Sequence, residues 1–348
     1  MDETSSPARM KAALVASPGK VELVEVPRPS PAQGEILVGM RCCGMCGTDV
    51  EKVYGGGMPG KVLGHEAVGE VEEVGPGVEG VARGMRVFAH HHVGCGSCAL
   101  CKRGKSTYCL EYQRHNLVPC GLAESYLVPK FNVERGAVHE LPSGLGYEEA
   151  SFIEPLATCI LGLANADAKG AGSAVIYGAG PVGLLHLKLL QSYGVPRVAV
   201  GDTSGYRRSF AARVGADAVF DPADPGSKAE AAAKMADGPE LVVVATGSPR
   251  AFEDAAKTVT RGGRVLLFGA PPRGSTGTMD ISHFFHNGTE VVTSYAATED
   301  EVGSAIRLIA GGEVRVADLV THRFPLADAA RAFEAAAQQQ CVKALIVN

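Results

Sequence analysis

From Ser173 onward the chain alternates short, fully apolar runs with stretches of helix-forming residues, and this alternation restricts the possible folds. The apolar runs are SAVIY, RVAVGD, AVFD, ELVVVATG, RVLLFGA and EVVTSY. Continuous apolar runs joined by helices are typical of strands buried on both faces of a parallel, doubly wound sheet. Six such strands make up a complete dinucleotide-binding domain. The sequence therefore predicts an α/β domain of this kind in the second half of the chain.

The first 150 residues have a different periodicity. The segments KAALV, KVELVEV, EILVGMRCCG and AVGEVEEVG alternate apolar with polar residues, as half-buried antiparallel strands do. We therefore expect a mostly-β region here. The acidic, polar start MDETSSPARMK has no apolar core and is not a standard signal peptide. It is interpreted as a loose extension, with the first strand beginning near Lys11.

A glycine-rich turn, GAGPVG, follows the first of the six apolar runs. The first glycine permits the tight turn, the second lets a pyrophosphate approach the backbone, and the third allows close packing of helix on strand. The free N–H groups and positive dipole at the start of the next helix favour phosphate. The strand before the turn and the helix after it support a Rossmann-type interpretation. The candidate cofactor-binding residues are Gly178, Gly180, Pro181, Val182 and Gly183.

Asp202 lies at the end of the second run, nineteen residues after Gly183. A carboxylate at this position accepts hydrogen bonds from ribose hydroxyls and repels a 2′-phosphate. The sequence therefore favours NAD over NADP. Arg207 and Arg208 follow closely and are alternative ligands for a 2′-phosphate, although the aspartate favours their interpretation as solvated helix residues. Arg207 is kept among the candidate cofactor-binding residues.

Four cysteines lie close together in the segment GCGSCALCKRGKSTYC. Two residues separate each of the first three, and seven separate the third from the fourth. Closely spaced thiolates on a glycine-rich loop match the requirements of a tetrahedral Zn²⁺ site, whereas two residues is a tight spacing for a relaxed disulfide. A closed four-thiolate site stabilises a loop and does no chemistry. We predict a structural zinc bound by Cys95, Cys98, Cys101 and Cys109.

Size and charge exclude several classes of protein. The 348 residues suffice for two domains with substantial cores, and 46% of them are apolar. The net charge of −5 disfavours nucleic-acid binding, and no apolar stretch is long enough to predict a membrane span. Ten cysteines without an export signal indicate a reducing compartment, so we expect a cytoplasmic protein.

A second, open metal site is suggested by residues from separate segments. Cys46 stands in CCGMCGTDVE, and His65 and Glu66 stand in VLGHEAVGEV. Glu154 lies among apolar residues in ASFIEPLAT, where a carboxylate needs a partner. A catalytic zinc takes three protein ligands and leaves one position open. Cys46, His65 and a glutamate match that requirement, although a lone cysteine or histidine is commonly just a core residue.

These motifs, in this order and over nearly the whole chain, resemble the zinc-dependent medium-chain alcohol dehydrogenases. The carrying motifs are CGMCGTD, GHEAVGEVEEVG, the four-cysteine segment, IEPLA and GAGPVG. IEPLA and SYAAT are most similar to the polyol branch of sorbitol (L-iditol) 2-dehydrogenases and their threonine dehydrogenase relatives. The resemblance implies a GroES-like, mostly-β catalytic domain, residues 1–155 and 296–348, with the zinc lobe at about 94–110. A Rossmann domain, residues 156–295, would interrupt it.

The resemblance also implies roles for individual residues. Cys46 and His65 would bind a catalytic zinc, with Glu66 and Glu154 sharing the third place in a division that stays open. Thr48 matches the hydroxyl that relays the alcohol proton. Many relatives have a histidine where this chain has Glu51, so either Glu51 or water ends the relay.

Other residues receive weaker interpretations. At most one of His90, His91 and His92 is expected near substrate, and Tyr54 either lines the substrate pocket or packs as an ordinary aromatic. The remaining cysteines are interpreted as small buried residues: Cys42, Cys43, Cys120, Cys159 and Cys341.

The expected function is oxidation of a secondary alcohol (a polyol, cyclitol or sugar alcohol) to a ketone, with hydride transfer to NAD. Two zinc ions per chain, one catalytic and one structural, are expected. An L-threonine 3-dehydrogenase-like or other alcohol dehydrogenase activity is the enzymatic alternative, and a non-catalytic NAD-binding relative is another. A zinc-ribbon binding module, supported by Lys102, Arg103 and Lys105, is the alternative of a different class. The expected partners are a small-molecule alcohol and further copies of the chain, as a tetramer or a dimer, with neither nucleic acid nor membrane.

Overall fold

The computed structural model describes residues 8–56, 58–235 and 237–348, which form two compact units. The first unit contains the described residues up to Glu154, together with 298–310 and 320–348; the second contains 155–297 and 311–319. From the sequence we placed residues 296–348 in the GroES-like domain. In the structure, residues 311–319 of that range belong to the second unit. There Val314, Val316 and Leu319 are buried. The predicted N-terminal extension falls largely on residues 1–7, outside the described residues.

The described residues form the following strands and helices, numbered in chain order. The strands are β1 (Arg9–Ser17), β2 (Lys20–Pro27), β3 (Ile36–Gly44), β4 (Glu66–Val74), β5 (Arg86–Ala89), β6 (Ser125–Val128), β7 (Val138–Glu140), β8 (Ala174–Tyr177), β9 (Val198–Gly201), β10 (Ala218–Phe220), β11 (Leu241–Val244), β12 (Arg264–Leu267), β13 (Glu290–Thr293), β14 (Val320–Pro325) and β15 (Lys343–Val347). The helices are α1 (Gly47–Tyr54), α2 (Ala99–Lys102), α3 (Lys130–Glu134), α4 (Tyr147–Ala150), α5 (Ile153–Asn165), α6 (Pro181–Ser192), α7 (Gly205–Arg213), α8 (Pro225–Lys234), α9 (Pro249–Thr258), α10 (Ile281–Asn287), α11 (Glu299–Ala310) and α12 (Ala329–Ala337).

The first unit is mostly β, as predicted. Its larger sheet has the order β14-β15-β3-β4-β5-β7, with β6 also paired to β3, and β1 pairs with β2 in a separate hairpin. The larger sheet is antiparallel apart from the β14–β15 pair. The predicted apolar–polar alternation of β3 is wrong, because this strand is buried at every position except Arg41. β4, β6 and β15 pair along the two edges of β3, and α4 packs against it, which accounts for its burial.

The second unit is the predicted doubly wound sheet. Its six strands run parallel in the order β10-β9-β8-β11-β12-β13. This is the 3-2-1-4-5-6 order of a complete dinucleotide-binding domain, with β8 as the first strand. β8, β9 and β11 are buried along their whole length, which explains their continuous apolar sequences. None of the helices described is long and apolar enough to cross a membrane.

Candidate metal centres and dinucleotide site

Four thiols of the first unit converge on the segment that contains α2. The Sγ atoms of Cys95 and Cys101 are 3.9 Å apart. The Sγ atom of Cys98 lies 3.6 Å from that of Cys101 and 3.7 Å from that of Cys109. Four sulfurs about 2.3 Å from a zinc ion form a tetrahedron with edges of about 3.8 Å. The sulfur separations therefore fit a tetrahedral zinc, and they are too long for disulfides.

The backbone of this segment turns its N–H groups toward the sulfurs. The amide of Cys98 donates to the Sγ of Cys95, and the amide of Cys101 donates to the Sγ of Cys98. These donors stabilise thiolates, which are the metal-binding form of cysteine. Hydrogen bonds from Ser97 and from Cys98 lower the pKa of Cys95 to about 5. Burial raises the pKa of Cys101 to about 11. The four sulfur donors and their separations suit zinc.

A second group of metal-binding side chains lies at the end of the β3–β4 pair. Ligand atoms of Cys46, His65 and Glu66 all lie within 4.8 Å of one another. Glu66 is paired with Gly44 in the antiparallel register of the two strands. Cys46 follows Gly44 by two residues and caps α1, while His65 immediately precedes β4. Strand pairing therefore brings together residues that are twenty positions apart in sequence.

Asp49 orients His65. Its carboxylate is buried and lies 3.2 Å from His65 Nδ1, so Nε2 is the ring nitrogen left to bind a metal. Burial opposes the charge of Asp49, but the nearby His65 and Lys52 lower the pKa of this carboxyl group below its ordinary value. Thr48 Oγ1 donates a hydrogen bond of 3.2 Å to Cys46 Sγ. Asp49 was not predicted from the sequence, although it lies in the same CGTD motif.

Lys343 of β15 neutralises Glu66. Both side chains are 1% exposed and they form a buried ion pair, while Lys343 Nζ also donates to the carbonyl of Met45 at 3.2 Å. A Cβ atom on Gly44 would overlap Glu66 Oε2, so glycine leaves the space that the carboxylate occupies. This lysine was not predicted from the sequence either. A charged residue inside the apolar strand VKALIVN was the available signal.

Glu154, the other carboxylate considered as a ligand, is buried in the first turn of α5. It is not part of the three-residue cluster found among the described residues. Burial raises the pKa of Glu154, with His65 the nearest opposing influence and Glu66 adding to the rise. The geometry thus places Glu66 with Cys46 and His65, and Glu154 farther out.

The remaining predicted residues of the first unit have mixed surroundings. Glu51 is exposed on α1, and Tyr54 is 44% exposed with its ring against Gly19. His90 and His91 are buried, and the ring centroid of His91 lies 5.0 Å from that of His65 and 4.1 Å from that of His92. The five cysteines interpreted as small buried residues are buried, which confirms that prediction.

The glycine-rich turn in the second unit joins β8 to α6. Gly178 has a φ of +103°, which glycine adopts without strain, and a Cβ atom on Gly183 would overlap the carbonyl oxygen of Gly178. Gly180 caps α6, and Pro181 occupies its first turn, followed by Val182. These are the conformational requirements of a pyrophosphate-binding turn at a helix N-terminus.

Asp202 holds this turn against β9. Its Oδ2 accepts a hydrogen bond from the amide of Ala179, and its Oδ1 accepts one from the amide of Ser204, both 2.8 Å long. Arg208 pairs with Asp221 at 3.0 Å and donates to two carbonyls, so it is not a simply solvated residue. Arg207 lies over Gly180, and its buried Nε has no hydrogen-bond partner among the described residues.

Two family models, one for each domain, match the chain. Residues 32–143 match the alcohol dehydrogenase GroES-like domain, and residues 181–311 match the zinc-binding dehydrogenase domain. The L-threonine 3-dehydrogenase of Pyrococcus horikoshii is 31% identical over 329 residues, 91% of this chain and 92% of that protein. The sorbitol dehydrogenase of Bacillus subtilis is 27% identical over 352 residues, 98% of each chain.

Solved structures show the same fold with bound cofactors. A zinc-binding dehydrogenase from Sinorhizobium meliloti bound to NADP is 26% identical, with a TM-score of 0.85 over 98% of this chain and 100% of that one. An Escherichia coli CFT073 alcohol dehydrogenase complexed with NADH is 25% identical, with a TM-score of 0.87 over the same shares. The chain belongs to the zinc-containing alcohol dehydrogenase family, with a GroES-like and a Rossmann domain. It is an oxidoreductase, which excludes the zinc-ribbon module as an alternative.

The Cys46 cluster suits the chemistry of this family. Three donors from side chains of different type match a catalytic zinc site with an open position, in contrast to the closed set of four thiols. A zinc ion bound there would polarise an alcohol hydroxyl and lower its pKa. Asp49 and Lys343 support these ligands. Asp49 fixes the His65 ring, and Lys343 balances the charge of Glu66.

Proposed function

We propose that this protein oxidises a secondary hydroxyl of a polyol, cyclitol or sugar alcohol to a ketone, with NAD as the hydride acceptor. The observation that carries the proposal is the convergence of ligand atoms from Cys46, His65 and Glu66 within 4.8 Å. In the proposed site these residues bind the catalytic zinc, and Glu154 is an outer carboxylate near them. The four cysteines bind a second, structural zinc, giving two zinc ions per chain.

The alcohol proton is proposed to leave through Thr48. Its hydroxyl is exposed and hydrogen-bonded to Cys46, so it lies beside the metal cluster. Glu51, one helical turn farther along α1, is exposed and is available as the terminal base. Water is the alternative end of this relay.

The choice of NAD over NADP rests on the charges around the dinucleotide turn. Asp202 disfavours a 2′-phosphate at the end of β9, whereas Arg207 beside Gly180 is placed to contact a cofactor phosphate. We expect Arg207→Ala to weaken NADH binding about tenfold, since one charge-assisted contact is lost. Fluorescence titration with NADH and NADPH measures this, and tighter binding of NADPH by the unmodified protein would contradict the assignment of Asp202.

L-Threonine oxidation is the second candidate function, because the threonine dehydrogenase of P. horikoshii covers most of the chain at 31% identity. A panel of sorbitol, xylitol, myo-inositol and L-threonine with NAD⁺ separates the two, with NADH formation followed by absorbance. A polyol or cyclitol should give the highest kcat/KM. If L-threonine does so instead, the polyol assignment is wrong.

We further propose a homo-oligomer, a tetramer or a dimer, in the cytoplasm. The edge strand β13 leaves Val291 40% exposed, and Ile281 and Phe285 of the neighbouring α10 are 79% and 82% exposed. An open edge with exposed apolar residues favours association with another chain. None of the ten cysteines forms a disulfide in the part of the chain that the structure describes, which suits a reducing compartment. The expected small-molecule partner is the alcohol, and no nucleic-acid or membrane partner is expected.

A further inference from the structure

A carboxylate clamped between two imidazoles lies in the first unit, outside the residues assigned so far. Glu299 Oε1 is 2.7 Å from His90 Nδ1, and Glu299 Oε2 is 2.6 Å from His139 Nε2. The three residues come from the start of α11, the end of β5 and the middle of β7. The side chain of His90 is 1% exposed, that of His139 19% and that of Glu299 27%. The group therefore runs from the interior to the surface.

The carboxylate determines the tautomer of His90. A carboxylate only accepts hydrogen bonds, so both ring nitrogens that face Glu299 carry a proton. With its proton on Nδ1, a neutral His90 presents a bare Nε2 lone pair. That nitrogen is buried and has no hydrogen-bond partner among the described residues. A buried acceptor of this kind costs free energy unless a donor binds to it.

The surroundings of His90 connect it to the candidate metal cluster. Its ring centroid lies 5.4 Å from that of His91, which in turn lies 5.0 Å from that of His65. Tyr112 lies at 6.4 Å, and His90 also interacts electrostatically with Glu154 and His92. Its Nδ1 is bonded to the partly exposed Glu299, and the ring also stacks on Phe88. His90 therefore lies one histidine away from His65, with its Nδ1 on the side of the path toward the surface.

We propose that His90 accepts a proton from a hydroxyl group bound beside the metal cluster, and that Glu299 and His139 are positioning residues that hold it in the required tautomer. The hydroxyl donor is a water molecule or a hydroxyl of the alcohol substrate. The inference rests on the proposed alcohol oxidation, for which it supplies a second route for the proton besides Thr48 and Glu51.

The proton transfer balances without a further reactant. The O–H bond of the donor breaks and an N–H bond forms at His90 Nε2, so the ring becomes an imidazolium whose charge Glu299 balances. If the donor is water, its oxygen regains a proton from the alcohol being oxidised; if the donor is the reacting hydroxyl itself, its oxygen becomes the ketone oxygen when the hydride leaves to NAD. The Nδ1 proton of His90 passes to Glu299 and from there to solvent, because that side chain is partly exposed. His139 keeps the carboxylate in place throughout.

Nuclear magnetic resonance tests the tautomer without metal, cofactor or substrate turnover. In protein with ¹⁵N-labelled histidine, His90 should show a protonated Nδ1 and a bare Nε2 at neutral pH. The signals are assigned by their loss in His90→Gln. In Glu299→Gln the preference for Nδ1–H should weaken, whereas Asp300→Asn should leave it unchanged. Asp300 is exposed in the same helical turn as Glu299. Its substitution therefore also removes one negative charge from the first turn of α11, but not the carboxylate that contacts His90. A proton on Nε2 of His90 would overturn the proposal.

Kinetics of the zinc-loaded protein test the role. We expect His90→Gln to lower kcat for alcohol oxidation about 100-fold, within the range for loss of a general base. Glu299→Gln should lower kcat about tenfold and move the acid limb of the kcat–pH profile down by about one unit, because the imidazolium loses its counter-charge. Asp300→Asn should match the unmodified protein.

A purely structural clamp predicts something different. Glu299→Gln would then lower the unfolding temperature without moving the pH profile, and that result would reject the proposal. If the unmodified protein oxidises no alcohol in the panel, the proposed function fails instead, and the histidine spectra still decide the tautomer on which the inference stands.

Discussion

The two candidate metal clusters of the first unit are built in opposite ways. The four-thiol cluster takes all its donors from residues 95–109, and its thiolates receive hydrogen bonds from amides of the same segment. The Cys46 cluster takes its donors from two segments joined by strand pairing. It also depends on Lys343, which lies 277 positions after Glu66 in sequence. One cluster is a property of a short segment, and the other is a property of the folded unit.

The difference has an energetic consequence. Three of the four cysteines in the four-thiol cluster are partly exposed, and amides of the segment donate to the sulfurs of Cys95 and Cys98. Glu66 and Lys343 are each 1% exposed, so each charge depends on the other. Removing one member of a buried pair leaves the other unpaired at a cost of several kcal/mol. We therefore expect the lobe to tolerate changes elsewhere in the unit and the Cys46 cluster to respond to distant ones.

Substitution at the assembled cluster should have the largest effect. In Cys46→Ser we expect NADH formation to fall at least about 1,000-fold, because the zinc that polarises the alcohol loses a thiolate ligand. Elemental analysis should find one zinc per chain instead of two, with NADH binding retained. Cys42→Ala, a buried cysteine of β3 outside both clusters, is the matched control and should keep both ions. Retention of both zinc ions in Cys46→Ser would contradict the assignment.

Substitution in the lobe should instead affect stability. Cys98→Ser removes one ligand of a closed site, so we expect loss of one zinc and a decrease of more than about 4 kcal/mol in the free energy of unfolding. Urea unfolding at neutral pH measures this, and kcat at low temperature should change less than threefold. A kcat loss as large as that of Cys46→Ser would show that the lobe takes part in the chemistry.

The dependence of the assembled cluster on β15 is tested by Lys343→Met. Without the ammonium group, Glu66 is a buried, unpaired carboxylate, and we expect the metal-free protein to lose about 3–5 kcal/mol of stability. Lys343→Arg keeps the charge and should lose less. Zinc should reduce the loss in Lys343→Met because the ion also balances Glu66. If Lys343→Met lost the same free energy of unfolding with and without zinc, Glu66 would not be a ligand of the metal site.

His186 of the second unit provides a metal-free reference. Burial lowers its pKa from 6.5 to about 4, while the carbonyl of Val182 accepts its Nδ1 proton. Between pH 6.5 and 4 the unfolded chain therefore binds a proton that the folded chain does not, so stability falls as the pH falls. The loss of stability between neutral pH and pH 4 is on the order of 3 kcal/mol.

His186→Leu should lack the fall in stability that His186 causes between pH 6.5 and pH 4. Unfolding by urea at pH 7 and pH 4.5 should show a smaller difference for the variant than for the unmodified protein. Added chelator should leave that difference unchanged, whereas it should alter the stability of the first unit. Parallel pH profiles for the two proteins would mean that His186 is protonated in the folded state.

Much of the fold could be predicted from the sequence because the signals are short. The six apolar runs, the turn around Gly178 and Gly180, and the four cysteines each depend on residues within about a dozen positions. The burial of β3 was predicted wrongly: its local alternation predicts one exposed face, but every position except Arg41 is buried. The strand is paired along both edges and packs against α4. The segment 311–319 was assigned to the first domain, but it belongs to the second unit, where Asp318 pairs with Lys188, 130 positions earlier in sequence.

The amino-acid order was sufficient for the six parallel strands of the second unit, the glycine-rich turn and the grouping of four thiols, because periodicity and backbone geometry act between near neighbours. The folded chain was needed to place Glu66 rather than Glu154 beside Cys46 and His65, to pair Glu66 with Lys343, and to bring Glu299 between His90 and His139. Burial and charge pairing depend on which strands and helices become neighbours in space, and no short stretch of residues contains that information.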